Sequence, residues 1–134
     1  MLNKYKKGSN TKLSDHFNSN EVDCKCSECS ETLIDSELIV RLERMRTLTG
    51  PLSITSGYRC QAYQDALRKA GFETAAGVSQ HTLGRAADVL NGVMLGAELE
   101  HCARKVGFEC VGVGRTWVHV DLRPGPKRWF YSKR

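Results

Sequence analysis

A histidine and an aspartate stand seven positions apart in SQHTLGRAADVL, residues 79–90, with glycine and small residues between them. The closing run AADVL is apolar apart from Asp88 and predicts a short buried strand. A polar loop that runs directly into a core strand places His81 and Asp88 near the boundary between loop and core. The stretch is therefore either an ordinary turn or the source of two ligands of one metal ion.

A second strand carries the next polar pair. Alternation with period two in WVHVD, residues 117–121, puts Trp117, His119 and Asp121 on one face and two valines on the other. The valines favour the core, so His119 and Asp121 face a cleft or solvent. Taken together, His81, Asp88 and His119 form a two-histidine, one-carboxylate set that fits catalytic zinc with an open coordination position. A strand histidine with a purely structural role is the alternative.

Hydrophobic periodicity along the rest of the chain predicts an α+β domain with a small, mostly antiparallel sheet and helices packed on one face. Asp35 is the expected N-cap of the first helix, and Gly50-Pro51 is the expected end of it. The predicted elements are helices over 35–48, 62–70 and 95–106, strands over 52–57 and 86–90, a loop over 72–84, a hairpin over 111–122 and a last strand over 129–131.

The length of 134 residues suits one domain. Residues 1–12 are basic and predict a flexible arm, which leaves 13–134 as the single folded domain. No apolar run is long enough for a membrane span, and no apolar segment follows the basic start, so no secretory signal is predicted and the chain is expected to be cytoplasmic as synthesised. A monomer is expected. The net charge of +5 suits a polyanion, but no nucleic-acid motif accompanies it, so no specific nucleic-acid partner is predicted.

The chain has six cysteines, and three of them form a tight C-x-C-x-x-C. Such spacing resembles one side of a structural zinc site that lacks its fourth ligand. Disulfides and plain reduced thiols are the alternatives, and a reducing compartment argues against disulfides. The candidates for a structural metal or a disulfide are Cys24, Cys26, Cys29 and Cys60, with Cys102 and Cys110 as other sources of the fourth ligand.

The motif S-x-H-x-x-G-x-A-x-D, formed by Ser79, His81, Gly84, Ala86 and Asp88, resembles the signature of the zinc D-Ala-D-Ala carboxypeptidase family of cell-wall peptidases. The segments ITSGYR (54–59) and WVHVD (117–121) are similar to two further motifs of that family, in the same order. The resemblance covers residues 13–131 and is closest to the compact bacterial and phage type. It implies a Hedgehog-like zinc peptidase fold.

The resemblance also implies roles for individual residues. His81, Asp88 and His119 would bind zinc, and Arg59 would bind a substrate carboxylate or backbone oxygen, with a salt bridge that braces the turn as the alternative. Ser79 would orient the loop near His81 and contribute to the substrate site.

One position departs from the family pattern. Several relatives carry an acidic general base three residues before the third ligand, where this chain has Thr116. Asp121 is the predicted substitute, with orientation of His119 or a salt bridge to Arg123 as its alternative role. Glu109 and His101 are weaker candidates.

By this resemblance the chain is expected to be a zinc metallopeptidase that cuts peptidoglycan stem peptides at the cell wall, as a D-Ala-D-Ala carboxypeptidase or as an endolysin-like endopeptidase. The missing signal segment suits a phage-encoded enzyme as well as a bacterial one. The alternative is a catalytically inactive zinc-containing module that binds wall peptides or a protein partner. A third hypothesis, a basic nucleic-acid binder with a cysteine zinc knuckle, predicts salt-sensitive binding and no hydrolysis.

Overall fold

The computed structural model describes residues 1–73 and 78–132, and within them the chain forms a small α+β fold. Residues 74–77 of the predicted loop lie outside the described residues. No helix in these two ranges is long and apolar enough to cross a membrane. The strands are β1 (Leu2–Lys6), β2 (Glu31–Asp35), β3 (Ser53–Ser56), β4 (Ala86–Leu90), β5 (Cys110–Val113), β6 (Val118–Asp121) and β7 (Lys127–Phe130); the helices are α1 (Ser19–Val22), α2 (Ser36–Thr49), α3 (Gln61–Lys69), α4 (Gly96–Lys105) and a 3-10 turn (Gln80–Leu83).

The larger sheet has five strands in the order β3-β4-β6-β5-β7. Its pairs are antiparallel except β5 and β7, which run parallel. The predicted hairpin is confirmed as β5 and β6, and the predicted last strand is β7. In the pairing of β4 with β6, Asp88 lies directly opposite His119. The register of the sheet therefore brings two of the predicted ligands together.

The core lies on the face of this sheet opposite to the side chains of Asp88 and His119. Helix α2 begins after Asp35, whose Oδ1 accepts a hydrogen bond from the backbone N–H of Glu37 at 2.9 Å, and Gly50 ends it at a φ of +79°. Its apolar stripe of Leu38, Leu42 and Met45 is fully buried. Helix α4 packs against α2 and against β5 and β6. Burial of the valines of β6 directs His119 and Asp121 away from the core, as the alternation predicts.

The amino-terminal residues correct one expectation. Residues 2–6 form β1, which pairs antiparallel with β2, so they are not part of a flexible arm. Every second side chain of β1 is partly buried, and Tyr5 packs against the core, while Lys4 lies 3.6 Å from Glu31 on the exposed side. The basic composition of this segment conceals a strand with one covered face. Strand β2 and the capped turn α1 were likewise not predicted.

Candidate metal centre

Three side chains from different elements meet on the face of the sheet that lies opposite the core. His81 comes from the 3-10 turn, Asp88 from β4 and His119 from β6, and all three are buried. His119 Nδ1 lies 3.2 Å from both His81 Nε2 and Asp88 Oδ1, and the last two atoms are 3.3 Å apart. Tetrahedral ligands at about 2.0–2.1 Å from zinc are separated by roughly 3.3 Å. The predicted triad therefore fits a zinc ion.

The hydrogen bonds of the two histidines select the nitrogen that each turns toward the centre. His81 Nδ1 donates to the Gly57 carbonyl at 2.7 Å, which leaves Nε2 as the ligand atom. His119 is turned the other way, because its Nε2 donates to Asp121 Oδ2 at 2.7 Å and its Nδ1 faces the centre. Such outer partners fix the tautomer and raise the basicity of a metal-binding imidazole.

Burial and neighbouring charges set the protonation of the triad. Burial lowers the pKa of His81, which favours the neutral imidazole that binds metal. Burial also opposes charge on Asp88, but the electrostatic interaction with His81 and the approach of His119 hold the pKa of this carboxyl below its usual range. Burial opposes protonation of His119 as well, yet hydrogen bonds to Asp121 and Asp88 raise its pKa. Of these two acceptors, Asp88 is the one that a cation at the centre would also contact.

The loop before β4 explains the small residues of the motif. The Ser79 hydroxyl accepts a hydrogen bond from the backbone N–H of His81 at 3.2 Å and caps the turn that carries this histidine. Gly84 ends the turn at a φ of +71°, and a Cβ at this position would lie 2.6 Å from the carbonyl oxygen of Leu33. The loop thus lies directly against β2.

Arg59 is buried beside the triad. Its Nη2 donates to Asp88 Oδ2 at 3.2 Å, its Nη1 to Gln64 Oε1 at 3.2 Å and its Nε to Ser56 Oγ at 3.0 Å. Asp88 therefore offers Oδ1 to the centre and Oδ2 to Arg59. This is the salt bridge that the sequence allowed as the alternative role, although Arg59 also lines the cavity in front of the triad.

Asp121 lies behind His119 rather than in front of the centre. It is fully buried, its Oδ2 also accepts from Arg123 Nη2 at 2.8 Å, and its Oδ1 accepts from the backbone and Nε of Arg123 at 3.0 and 3.1 Å. Burial opposes its charge, but hydrogen bonds from His119 and Arg123 lower its pKa. This geometry favours the alternative role, orientation of His119, over that of a general base.

A cavity of about 580 Å³ opens in front of the triad. Glu73 is the only carboxylate besides Asp88 among the described residues that line it. Gln64, which is buried in the wall, has an Nε2 without a hydrogen-bond partner. Thr116 is exposed, and neither it nor Glu109 or His101 lines this cavity. The remaining lining residues are Arg59, Val78, Ser79, Gln80, Arg123, Lys127, Trp129 and Tyr131.

The sequence did not identify Glu73 or Gln64 as residues that line the cavity, and it did not indicate that Gln64 Nε2 lacks a hydrogen-bond partner. Glu73 lies in the predicted loop over 72–84 and belongs to no motif, and only the fold brings it to the cavity. Trp129 also lines the cavity, and the centroid of its ring lies 5.3 Å from that of His119. The sequence places Trp129 in the last strand, and that strand pairs with β5 so that Trp129 lies opposite Gly112.

The predicted cysteine cluster is a second group that could hold a metal. The sulfurs of Cys24, Cys26, Cys29 and Cys60 lie within 4.8 Å of one another. All six cysteines are free thiols in the structure. Cys102 and Cys110 are not part of this cluster.

A family model described as peptidase M15 matches residues 15–121, which contain all three members of the triad. No curated protein and no solved structure matches the chain.

Proposed function

Because the chain belongs to the peptidase M15 family, which implies a zinc peptidase that acts on peptidoglycan, we propose that it hydrolyses a peptide bond of the stem peptides next to a D-amino acid. The observation that carries this proposal is the buried triad of His81, Asp88 and His119 at ligand spacing, which opens onto a cavity. The action would be that of a carboxypeptidase on terminal D-alanine or of an endolysin-like endopeptidase at the wall, from a bacterium or a phage.

The triad would hold zinc, which acts as a Lewis acid on a carbonyl oxygen and lowers the pKa of water to about 7. Arg59 would keep Asp88 turned so that one carboxylate oxygen faces the ion, and Asp121 would do the same for the ring of His119. Both are positioning residues in this proposal. Arg59 and Ser79 also line the cavity, so the predicted contacts of both with substrate remain part of the proposal.

The cavity walls suit a peptide that carries carboxylates. Arg123 and Lys127 add positive charge to the cavity, and the buried Gln64 Nε2 supplies a donor that lacks an acceptor. A buried donor without a partner costs free energy, so a substrate carbonyl or carboxylate oxygen that satisfied it would bind more tightly. We assign Gln64 to substrate binding.

Glu73 is the best-placed candidate for the general base, since it is the only carboxylate of the described cavity wall that is not a metal ligand. We expect Glu73→Gln to lower kcat by about 10²–10⁴-fold with zinc content unchanged, because loss of a general base removes an effect of that size. The measurement is amine release from purified peptidoglycan. Glu109→Gln is the matched control and should keep full activity. Full activity of Glu73→Gln would remove Glu73 from this role.

Asp121→Asn should weaken zinc binding at the triad by about 10–100-fold, the usual effect of losing an outer carboxylate partner of a ligand histidine. Titration against a chelator measures this, and added zinc should restore most of the activity. Asp65→Asn, on the exposed side of α3, is the control. Unchanged zinc affinity with lost activity would instead support Asp121 as the base, as the sequence suggested.

The deciding experiment for the proposed function measures bound zinc together with cleavage of defined stem peptides. Release of D-alanine from a peptide that ends in D-Ala-D-Ala would indicate a carboxypeptidase, and cleavage of cross-linked or internal bonds would indicate an endopeptidase. Zinc at the triad without cleavage of any stem peptide would overturn the proposal. That outcome would favour the second candidate, a catalytically inactive zinc-containing module that binds wall peptides or a protein partner. Thr116 favours this candidate because it stands where several relatives carry the acidic general base.

A further inference from the structure

Four cysteine sulfurs converge where the segment before β2 meets the start of α3. The Sγ atoms of Cys24 and Cys60 are 3.7 Å apart, those of Cys26 and Cys60 are 3.6 Å apart, and those of Cys26 and Cys29 are 3.2 Å apart. Thiolates at about 2.3 Å around a tetrahedral zinc ion are separated by roughly 3.8 Å. A disulfide needs about 2.05 Å. The spacing is therefore that of metal ligands and not of bonded sulfurs.

The surroundings of the cluster suit thiolates. The backbone N–H of Cys29 donates to Cys26 Sγ and that of Cys60 to Cys24 Sγ, both at 3.4 Å. Lys7 brings its ammonium to 3.8 Å from Cys26 Sγ and 3.6 Å from Cys29 Sγ, and it also donates to the Cys26 carbonyl. Four thiolates on a divalent cation carry two excess negative charges, and these donors and this cation offset them.

We propose that Cys24, Cys26, Cys29 and Cys60 bind a structural zinc ion, distinct from the ion at the triad. Four protein ligands fill a tetrahedral zinc site, so this site has no open position for substrate or water. The geometry selects Cys60 as the fourth ligand from the three cysteines that the sequence left open. Cys102 and Cys110 lie elsewhere, in α4 and β5.

The position of Cys60 gives this ion a role in the domain. Cys60 directly follows Arg59, which holds Asp88 Oδ2, and it is the N-cap of α3 without a side-chain capping bond. The ion would join the turn after α1 to this point, and the contacts of Lys7 with the sulfurs of Cys26 and Cys29 would connect the segment after β1 to the same cluster. Zinc binding here therefore fixes the backbone that carries Arg59. Loss of the ion should lower thermal stability and loosen the neighbouring triad.

Cobalt replacement in the full chain tests the proposal without reference to peptide hydrolysis. Thiolate ligands give Co²⁺ a charge-transfer absorption in the near ultraviolet, which two histidines and a carboxylate cannot give. We expect one equivalent of this absorption in the wild-type protein, and we expect it to persist in His119→Ala. Metal analysis should give two zinc ions per wild-type chain and one in Cys26→Ser, which also loses the absorption.

Cys102→Ser is the matched control, a cysteine outside the cluster, and it should keep both ions. Absence of the thiolate absorption in the wild-type protein would overturn the proposal, as would a thiol titration that shows the four cysteines joined in disulfides. If Cys26→Ser does not fold, the wild-type cobalt spectrum alone decides. An inactive protein with the absorption would refute the proposed peptidase and leave this site standing.

Discussion

Replacement of His119 by alanine should lower peptide hydrolysis by about 10³-fold or more and remove one zinc ion per chain. His119 supplies Nδ1 at 3.2 Å from both other ligand atoms, and the remaining pair of His81 and Asp88 offers too few ligands to retain the ion. A catalytic zinc provides several kcal/mol of transition-state stabilisation, and each ~1.4 kcal/mol corresponds to a factor of ten in rate. Amine release and metal analysis on the same preparation measure both effects.

His101→Ala is the control for this variant. His101 is an exposed histidine on α4 and does not line the cavity, so its loss should change neither zinc content nor rate. A thermal melt of each variant establishes that the sheet is intact. Undiminished hydrolysis by folded His119→Ala would mean that the triad is not the catalytic centre, whatever the state of the cysteine cluster.

Gly84→Ala should lower the free energy of unfolding by about 2–4 kcal/mol, which for a chain of this size corresponds to a fall in Tm of about 8–16 °C. Two costs add at this position. A φ of +71° is unfavourable for any side chain by roughly 1 kcal/mol, and the new Cβ would meet the Leu33 carbonyl oxygen at 2.6 Å and its carbon at 2.7 Å. These atoms are backbone of β2 and cannot turn aside.

Gly8→Ala separates the two costs. Gly8 has a similar φ of +79°, but a Cβ there would meet nothing within 4 Å. It should therefore lose only the backbone contribution of about 1 kcal/mol. Differential scanning calorimetry on both variants gives the comparison. Equal losses of stability would show that contact with β2 is not what requires glycine in the motif.

The sequence predicted best where one local pattern decides the structure. The stripe of α2 and the alternation in β6 each report their own element, and the motif around His81 and Asp88 supplied the triad. The alternation placed His119 and Asp121 on one face, but it could not tell which nitrogen of His119 would meet Asp121. That choice is given only by the structure, in which His119 Nε2 donates to Asp121 Oδ2 and Nδ1 faces His81 and Asp88.

The misses have a common physical origin. β1 was not predicted because lysines dominate the composition of the amino-terminal segment. Its pairing with β2 depends on residues about 30 positions away. Glu73 and Gln64 belong to no motif that names a role, and only packing turns them toward the cavity. Such features depend on tertiary contacts, which a short window of sequence does not report.

The geometry of the candidate metal centre depends on how β4 and β6 align. Because Asp88 lies opposite His119, the backbone ladder itself sets the distance between these two ligands. A slip of one residue would move the ligand of the displaced strand to the core face and put alanine or valine in its place. An ion at the triad therefore stabilises only the correctly aligned sheet. Zinc binding would then favour folding to the correct strand register, since a chain with misaligned strands could not bind the ion at the triad.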